Sequence, residues 1–293
     1  MRLARWLLAL AVLAGIAAWL VTMPRPLPDD AMAGLTGDPV RGERVFYAGG
    51  CASCHAAPGA EGAARLVLEG GQRFPSPFGT FLAPNITPHP EAGIGGWSAQ
   101  DLANAMLRGI SPRGAHYYPA FPYASYSHVG LQEVADLHAF LATLPVSDRP
   151  NAPHELGFPF NIRRGLGLWK RLYGRPDWVL AGDDLPAPVA RGRALVEGLG
   201  HCGECHTPRD ALGGMRRAAW LTGAPAPDGK GKVPGITPAQ LDWSEADIAY
   251  YLETGFTPDF DAAGGHMASV VQNTAQLPAE DRAAIAAYLK ALP

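Results

Sequence analysis

Cys51-Ala52-Ser53-Cys54-His55 is the stretch from which this chain is read, and it has a second copy, Cys202-Gly203-Glu204-Cys205-His206. The two copies use all 4 cysteines of the 293-residue chain. Two thiols and an imidazole at C-x-x-C-H spacing form a c-type haem attachment site. Each thiol adds to one haem vinyl group, and the adjacent His reaches the iron from the proximal side. Cys51, Cys54 and His55 are therefore assigned to one haem c, and Cys202, Cys205 and His206 to a second. Two other uses of these residues fit less well. Structural zinc takes four protein ligands in one cluster, whereas each copy offers three and the copies lie about 150 residues apart. A redox dithiol leaves the trailing His unexplained in both copies.

The length allows two ordinary domains. Charged residues make up 17% and hydrophobic residues 47%, so the chain buries a core and is not disordered. Gly (35) and Pro (28) are abundant, which implies long loops between short helices. Formal net charge is -3, and no basic run points to nucleic acid. Arg2 and Arg5 precede Trp6 to Met23, 18 residues without a charge. That run nearly fills a bilayer's hydrocarbon core, and the arginines place the N-terminus on the cytoplasmic side with the remainder exported. A cleaved signal peptide is the rival expectation, with Ala31-Met32-Ala33 as its small-residue site. That site lies far beyond the apolar run, so an uncleaved anchor is preferred.

Residues 1–23 are thus read as anchor or signal and 24–37 as a Pro/Gly-rich tether. Asp38-Pro39 supplies an N-cap and a first-turn Pro for a helix to about Ala48. Ala57 to Gly79 reads as loop. Ser98-Ala99-Gln100-Asp101 resembles a capping box for a helix that stops at Gly109. Leu131 to Leu144 is apolar at helical spacing and closes a first domain, 38–150. A connection, 151–185, holds a helix near Ile162 to Tyr173 with Leu166, Trp169 and Leu172 on one face. That face packs between the domains, or rests on the membrane or a partner. The second domain, 186–293, repeats the first: a helix from Pro188 to about Gly198, then the attachment motif. Pro234-Gly235-Ile236-Thr237-Pro238 echoes Pro84-Asn85-Ile86-Thr87-Pro88, and Trp243-Ser244 echoes Trp97-Ser98. Ala279 to Leu292 is the closing helix. A repeat this long means two similar, mainly α domains with little room for strands.

An electron-transfer haem takes a second axial ligand, commonly Met. Met267, in Gly264-Gly265-His266-Met267, is the candidate in the second domain, with His266 its local competitor. The first domain departs from this. A gapless alignment of Trp97 with Trp243 sets Phe121 opposite Met267, and Phe cannot bind iron. His116 is the favoured donor, followed by His128, then Met106 or an open iron. His/His ligation would lower the first haem's potential below that of the second. Arg73, Arg113 and Arg216 are candidate propionate partners, as are the indoles of Trp97 and Trp243.

These residues together resemble the cytochrome c subunits of bacterial membrane-bound alcohol and gluconate dehydrogenases. The carrying motifs are Cys51 to His55, Phe78-Gly79-Thr80 with Pro84 to Pro88, Gly93-Ile94-Gly95 with Trp97-Ser98, and Tyr118-Pro119-Ala120-Phe121-Pro122-Tyr123. The resemblance implies two tandem class I cytochrome c-like domains after an N-terminal transmembrane helix. It also implies an exported electron carrier tethered to the cytoplasmic membrane, with its haem domains in the periplasm. Its partners would be a dehydrogenase or quinol-oxidising complex and a downstream cytochrome or oxidase. Many such subunits carry three haems, and this chain has two attachment motifs. Nothing in the sequence resembles a nucleophile–base pair or a nucleotide loop. The alternative is a dihaem enzyme, of peroxidase or sulfur-compound-oxidising type, using an open or labile first haem.

Overall fold

The first helix, α1 (Arg2–Val21), contains no acidic residue and buries no side chain. By length and composition it can cross a membrane, with a mean hydropathy of 2.0. The computed structural model describes every residue except 175–176, 227–228 and 230.

Asp38 starts α2 (Pro39–Ala48) by accepting hydrogen bonds from the Val40 and Arg41 amides. The attachment turn α3 (Cys51–His55) follows directly. The stretch from Ala57 holds more than loop: a 3-10 turn at Gly62–Leu66, then strands β1 (Arg73–Ser76) and β2 (Gly79–Leu82), paired antiparallel. Ser98 and Asp101 form the expected reciprocal capping box at the start of α4 (Ala99–Arg108). This helix ends at Gly109 with φ +60°, where an added Cβ would strike the Tyr123 ring. Short α5 (Tyr123–Tyr126) and α6 (Leu131–Leu141) complete the first domain. In the connection, β3 (Glu155–Leu156) pairs with β2, and α7 (Leu166–Tyr173) follows a 3-10 turn.

The second domain opens with α8 (Ala187–Arg193), shorter than the sequence suggests. A π-helical turn, Ala194–Leu199, replaces its last part, and Gly198 leaves helical geometry at φ -102°, ψ -105°. That turn feeds the attachment turn α9 (Gly203–His206). Strands β4 (Ala224–Pro225) and β5 (Lys232–Val233) pair, and α10 (Glu245–Thr254), α11 (Gly265–Thr274) and α12 (Ala279–Ala291) complete the domain. Ser244 and Asp247 repeat the capping box of the first domain.

Each domain is closed by a crossing of its first and last helices, and glycine makes both crossings possible. A Cβ on Gly42 would enter the Asp136 carbonyl and the Phe140 side chain, and one on Gly192 would enter the Ala284 carbonyl and the Tyr288 side chain. Both crossings carry an ion pair: Arg41 Nε to Asp136 at 2.8 Å and Arg191 Nε to Asp281 at 2.8 Å. Asp281 takes a second arginine from the other domain, Arg44 of α2, at 2.7 Å. The cores of the two domains are continuous, with Leu195, Val196 and Leu199 in one cluster with Val45, Phe46 and Tyr126. Residues 24–37 do not hang free. The Leu27 amide donates to Asn104 Oδ1 at 2.8 Å, Gln132 donates to the Thr36 carbonyl at 2.9 Å, and Leu27 and Met32 pack on the core.

Candidate haem sites

The two attachment turns are built alike. His55 donates its Nδ1–H to the Pro84 carbonyl at 2.9 Å, and His206 donates to the Pro234 carbonyl at 2.8 Å. These are equivalent prolines of the Pro-x-Ile-Thr-Pro repeat. The bond fixes ring orientation and tautomer and leaves Nε2 to ligate iron, a role outer hydrogen bonds play for metal-bound His in general. The carbonyls of the same two histidines accept from Gly70 N and Gly223 N, each at 2.7 Å. Ile86 N and Ile236 N then close each loop on the Leu68 and Leu221 carbonyls, each at 2.9 Å. Proximal His, proline turn and glycine turn therefore form one rigid unit, present twice.

The four thiols are unpaired. Burial pushes Cys51 and Cys202 up to about 12 and Cys54 up to about 11, so these thiols are neutral before attachment. Burial also lowers the pKa of His55 and His206, more than the bonds to Pro84 and Pro234 raise it, which keeps the rings neutral and able to coordinate. Among the described residues no three His, Cys, Asp or Glu side chains are arranged to hold a metal ion by themselves. Arg65 holds a buried Nη2 with no hydrogen-bond partner among the described residues. It stands ten residues after His55 and is a cationic donor suited to a propionate. These features fit haem c.

The candidate sixth ligands fall in different places. Met267 lies in the first turn of α11, partly buried against the core. His266 beside it is exposed, its ring 6.3 Å from that of Phe74. Phe121 packs edge-on against Tyr117 and Tyr126, with centroids 5.9 and 5.6 Å away. His116, the favoured donor of the first domain, is engaged on both sides of its ring. Its Nε2 lies 2.9 Å from the Thr22 carbonyl and its Nδ1 lies 3.1 Å from Lys170 Nζ. Both ring nitrogens are thus hydrogen-bonded within the protein. His128 is stacked on Trp178, with centroids 3.9 Å apart, and burial pushes its pKa down to about 4. Met106 is buried in the core on α4. Of the propionate candidates, Arg73 is committed to Glu155 through both terminal nitrogens.

The turns meet across a bonded seam that the sequence does not announce. Asn273 of α11 donates to Ser53 Oγ, between Cys51 and Cys54, at 2.8 Å. Reciprocally, Ser125 of α5 donates to Glu204, between Cys202 and Cys205, at 3.1 Å. Buried Tyr126 lies between the two sites. Its hydroxyl donates to the Gly49 carbonyl at 3.2 Å, and its ring stands 5.5 Å from that of His201. Helix α11 thus rests on the first domain's attachment turn, and α5 on the second's.

The family model for cytochrome c matches residues 39–145 and 189–293, one match for each attachment turn. The chain belongs to the cytochrome c family. The cytochrome is 60% identical, over 98% of its length and 96% of the relative's, to a "Diheme cytochrome c-type" of Cereibacter sphaeroides. It is 38% identical to the fructose dehydrogenase cytochrome subunit of Gluconobacter japonicus and 36% identical to the gluconate 2-dehydrogenase cytochrome c subunit of Pantoea cypripedii. Those matches cover 86% of this cytochrome but only 52% and 59% of the two subunits. It is a mainly helical protein of two cytochrome c domains, with two covalently attached haem c groups.

Proposed function

We propose that this cytochrome is an exported electron relay, held by α1 in the cytoplasmic membrane with its haem domains in the periplasm. It takes electrons from a dehydrogenase or a quinol-oxidising complex and passes them to a downstream cytochrome or oxidase. Haem c supplies the one-electron iron chemistry, and the protein sets its ligands, burial and surroundings. His55 and His206 are the proximal ligands and Met267 is the sixth ligand of the second site. The observation that carries the reading is that each attachment turn is bonded to a helix of the other domain, Ser53 to Asn273 and Glu204 to Ser125. A rigid, closely coupled pair of one-electron sites suits relay. The relatives that are dehydrogenase subunits support a dehydrogenase as donor.

A second reading is favoured by one observation. Phe121 stands opposite Met267 in the repeat, and His116 is bonded away. An open iron at the first site would bind small ligands, as an enzyme needs. Carbon monoxide and cyanide titrations of the purified holoprotein decide between the readings. Relay predicts two low-spin sites that resist both ligands. A high-spin fraction that binds carbon monoxide stoichiometrically, with turnover of peroxide or a sulfur oxyanion, would replace relay with the enzyme reading.

A further inference from the structure

Helix α7 divides its surface three ways. One side grips the outward end of α1. Arg164, just before the helix, donates to the Trp19 carbonyl at 2.7 Å and lies over the Trp19 ring at 3.9 Å. Arg171 donates to the Val21 carbonyl at 2.7 Å. Gly167 sits so close to Thr22 that a Cβ would collide with its backbone. These contacts satisfy the last carbonyls of α1, which have no partner within the helix. A second side holds the haem body. Trp169 donates to the Leu212 carbonyl at 3.0 Å, Lys170 to the Arg108 and Gly109 carbonyls at 2.6 and 2.7 Å, and Tyr173 to Asp210 at 2.8 Å.

The third side is only partly covered among the described residues, with Leu172 at the edge of a cleft that it lines with Trp169, Tyr173 and Glu204. Leu168 and Leu172, one turn apart, are each 50% exposed. The segment just before them exposes Phe158 (80%), Phe160 (46%) and Ile162 (52%). On a helix of 3.6 residues per turn, positions 168 and 172 flank the side that holds α1. The apolar patch is therefore continuous with the point where α1 leaves the bilayer.

We propose that this patch, Leu168 and Leu172 with Phe158, Phe160 and Ile162, inserts into the outer boundary of the same phospholipid bilayer that α1 spans. The proposal rests on reading α1 as a membrane span. An interfacial helix with aromatic and aliphatic side chains on its buried face seats at the headgroup–acyl junction. Two contacts, one spanning and one lying flat, fix the orientation of the haem body. Both domains are then tied to the membrane through α7, the first by Arg108 and Gly109 and the second by Asp210 and Leu212.

The haem thioethers consume all 4 native cysteines, so an introduced cysteine is the sole free thiol of the holoprotein. Leu172→Cys and Phe160→Cys carry a fluorophore in full-length protein reconstituted into phosphatidylcholine–phosphatidylglycerol vesicles. Exposed Asp259→Cys, in the second domain's copy of the loop that touches Thr22, is the aqueous control. Leu10→Cys reports on α1 itself. The proposal expects labels at 172 and 160 to be quenched by spin-labelled lipid and to be about fivefold less sensitive to iodide than the label at 259. If Leu10 reads lipid while 172 and 160 read water, the patch is a surface for a protein and the proposal falls alone. If Leu10 also reads water, the anchor reading falls and the proposal falls with it.

Discussion

At the residue scale, the two attachment sites separate what sequence can and cannot say about a ligand. The two haem attachments were legible, because C-x-x-C-H names its thiols and its His by residue type alone. The second contact to that His was half legible. Pro84 and Pro234 stood out as a repeat, but the group that matters is a backbone carbonyl, which no side-chain motif names. The surroundings of His116 were not legible, for a physical reason. A His in the right loop offers the right donor, and what diverts it is Thr22 and Lys170, 94 and 54 residues away in the chain. Met267 is the residue whose replacement is most informative. Met267→His should lower the potential of the second haem by a sizeable part of the ~0.8 V span set by axial ligands, read by potentiometric titration. An unchanged pair of potentials would remove Met267 from the iron. Asp281 gives a pH prediction. Its burial alone would raise the carboxyl, but hydrogen bonds from Arg44 and Arg191 hold it below the usual carboxylate range. A carboxyl depressed on folding contributes stability that is present above the ordinary carboxylate pKa of about 4 and is lost as pH falls through the folded value. Asp281→Asn should therefore cost about 3 kcal/mol at pH 7, and the difference from wild type should shrink in denaturant melts below pH 4.

At the element scale, the helices were legible where a cap announced them. Asp38-Pro39, Ser98 to Asp101 and Ser244 to Asp247 each start a helix through bonds that local sequence specifies. The π turn at Ala194–Leu199 was not, since i→i+5 bonding is stabilised by what packs around it and has no residue signature of its own. The pairings of β3 with β2 and of β4 with β5 were missed because two-residue pairings follow from loop closure rather than from any alternating pattern. The helix crossings carry a mutational prediction. Gly192→Ala forces a methyl into the Ala284 carbonyl and the Tyr288 side chain, which should cost about 3 kcal/mol through overpacking. Gly42→Ala should do the same in the first domain. Equilibrium unfolding of the holoproteins checks both, and stability unchanged in either variant would mean the crossing is looser than described.

At the scale of the whole molecule, two domains could be counted from the repeat, but their attachment to each other could not. The seam is made by single polar residues, Ser53, Ser125, Glu204 and Asn273, that meet only once both domains are folded. The shared hydrophobic cluster and the Arg44–Asp281–Arg191 bridge make the pair one body. Thermal unfolding of the holoprotein should accordingly show one cooperative transition. Arg44→Ala, which removes the cross-domain arm of the bridge and leaves Arg191, should split it or lower its midpoint by about 2 °C, the shift that 1 kcal/mol produces in a protein this size. The same architecture makes the two iron sites unequal: His206 has Met267 in its domain, while the matching position of the first domain is Phe121. Near-infrared magnetic circular dichroism of the oxidised holoprotein tests this inequality most directly, because sulfur-ligated and nitrogen-ligated low-spin haems absorb at different wavelengths. The account predicts a methionine–iron band with the intensity of one haem out of two, abolished by Met267→Leu. A band of two-haem intensity, or one that survives Met267→Leu, would contradict it.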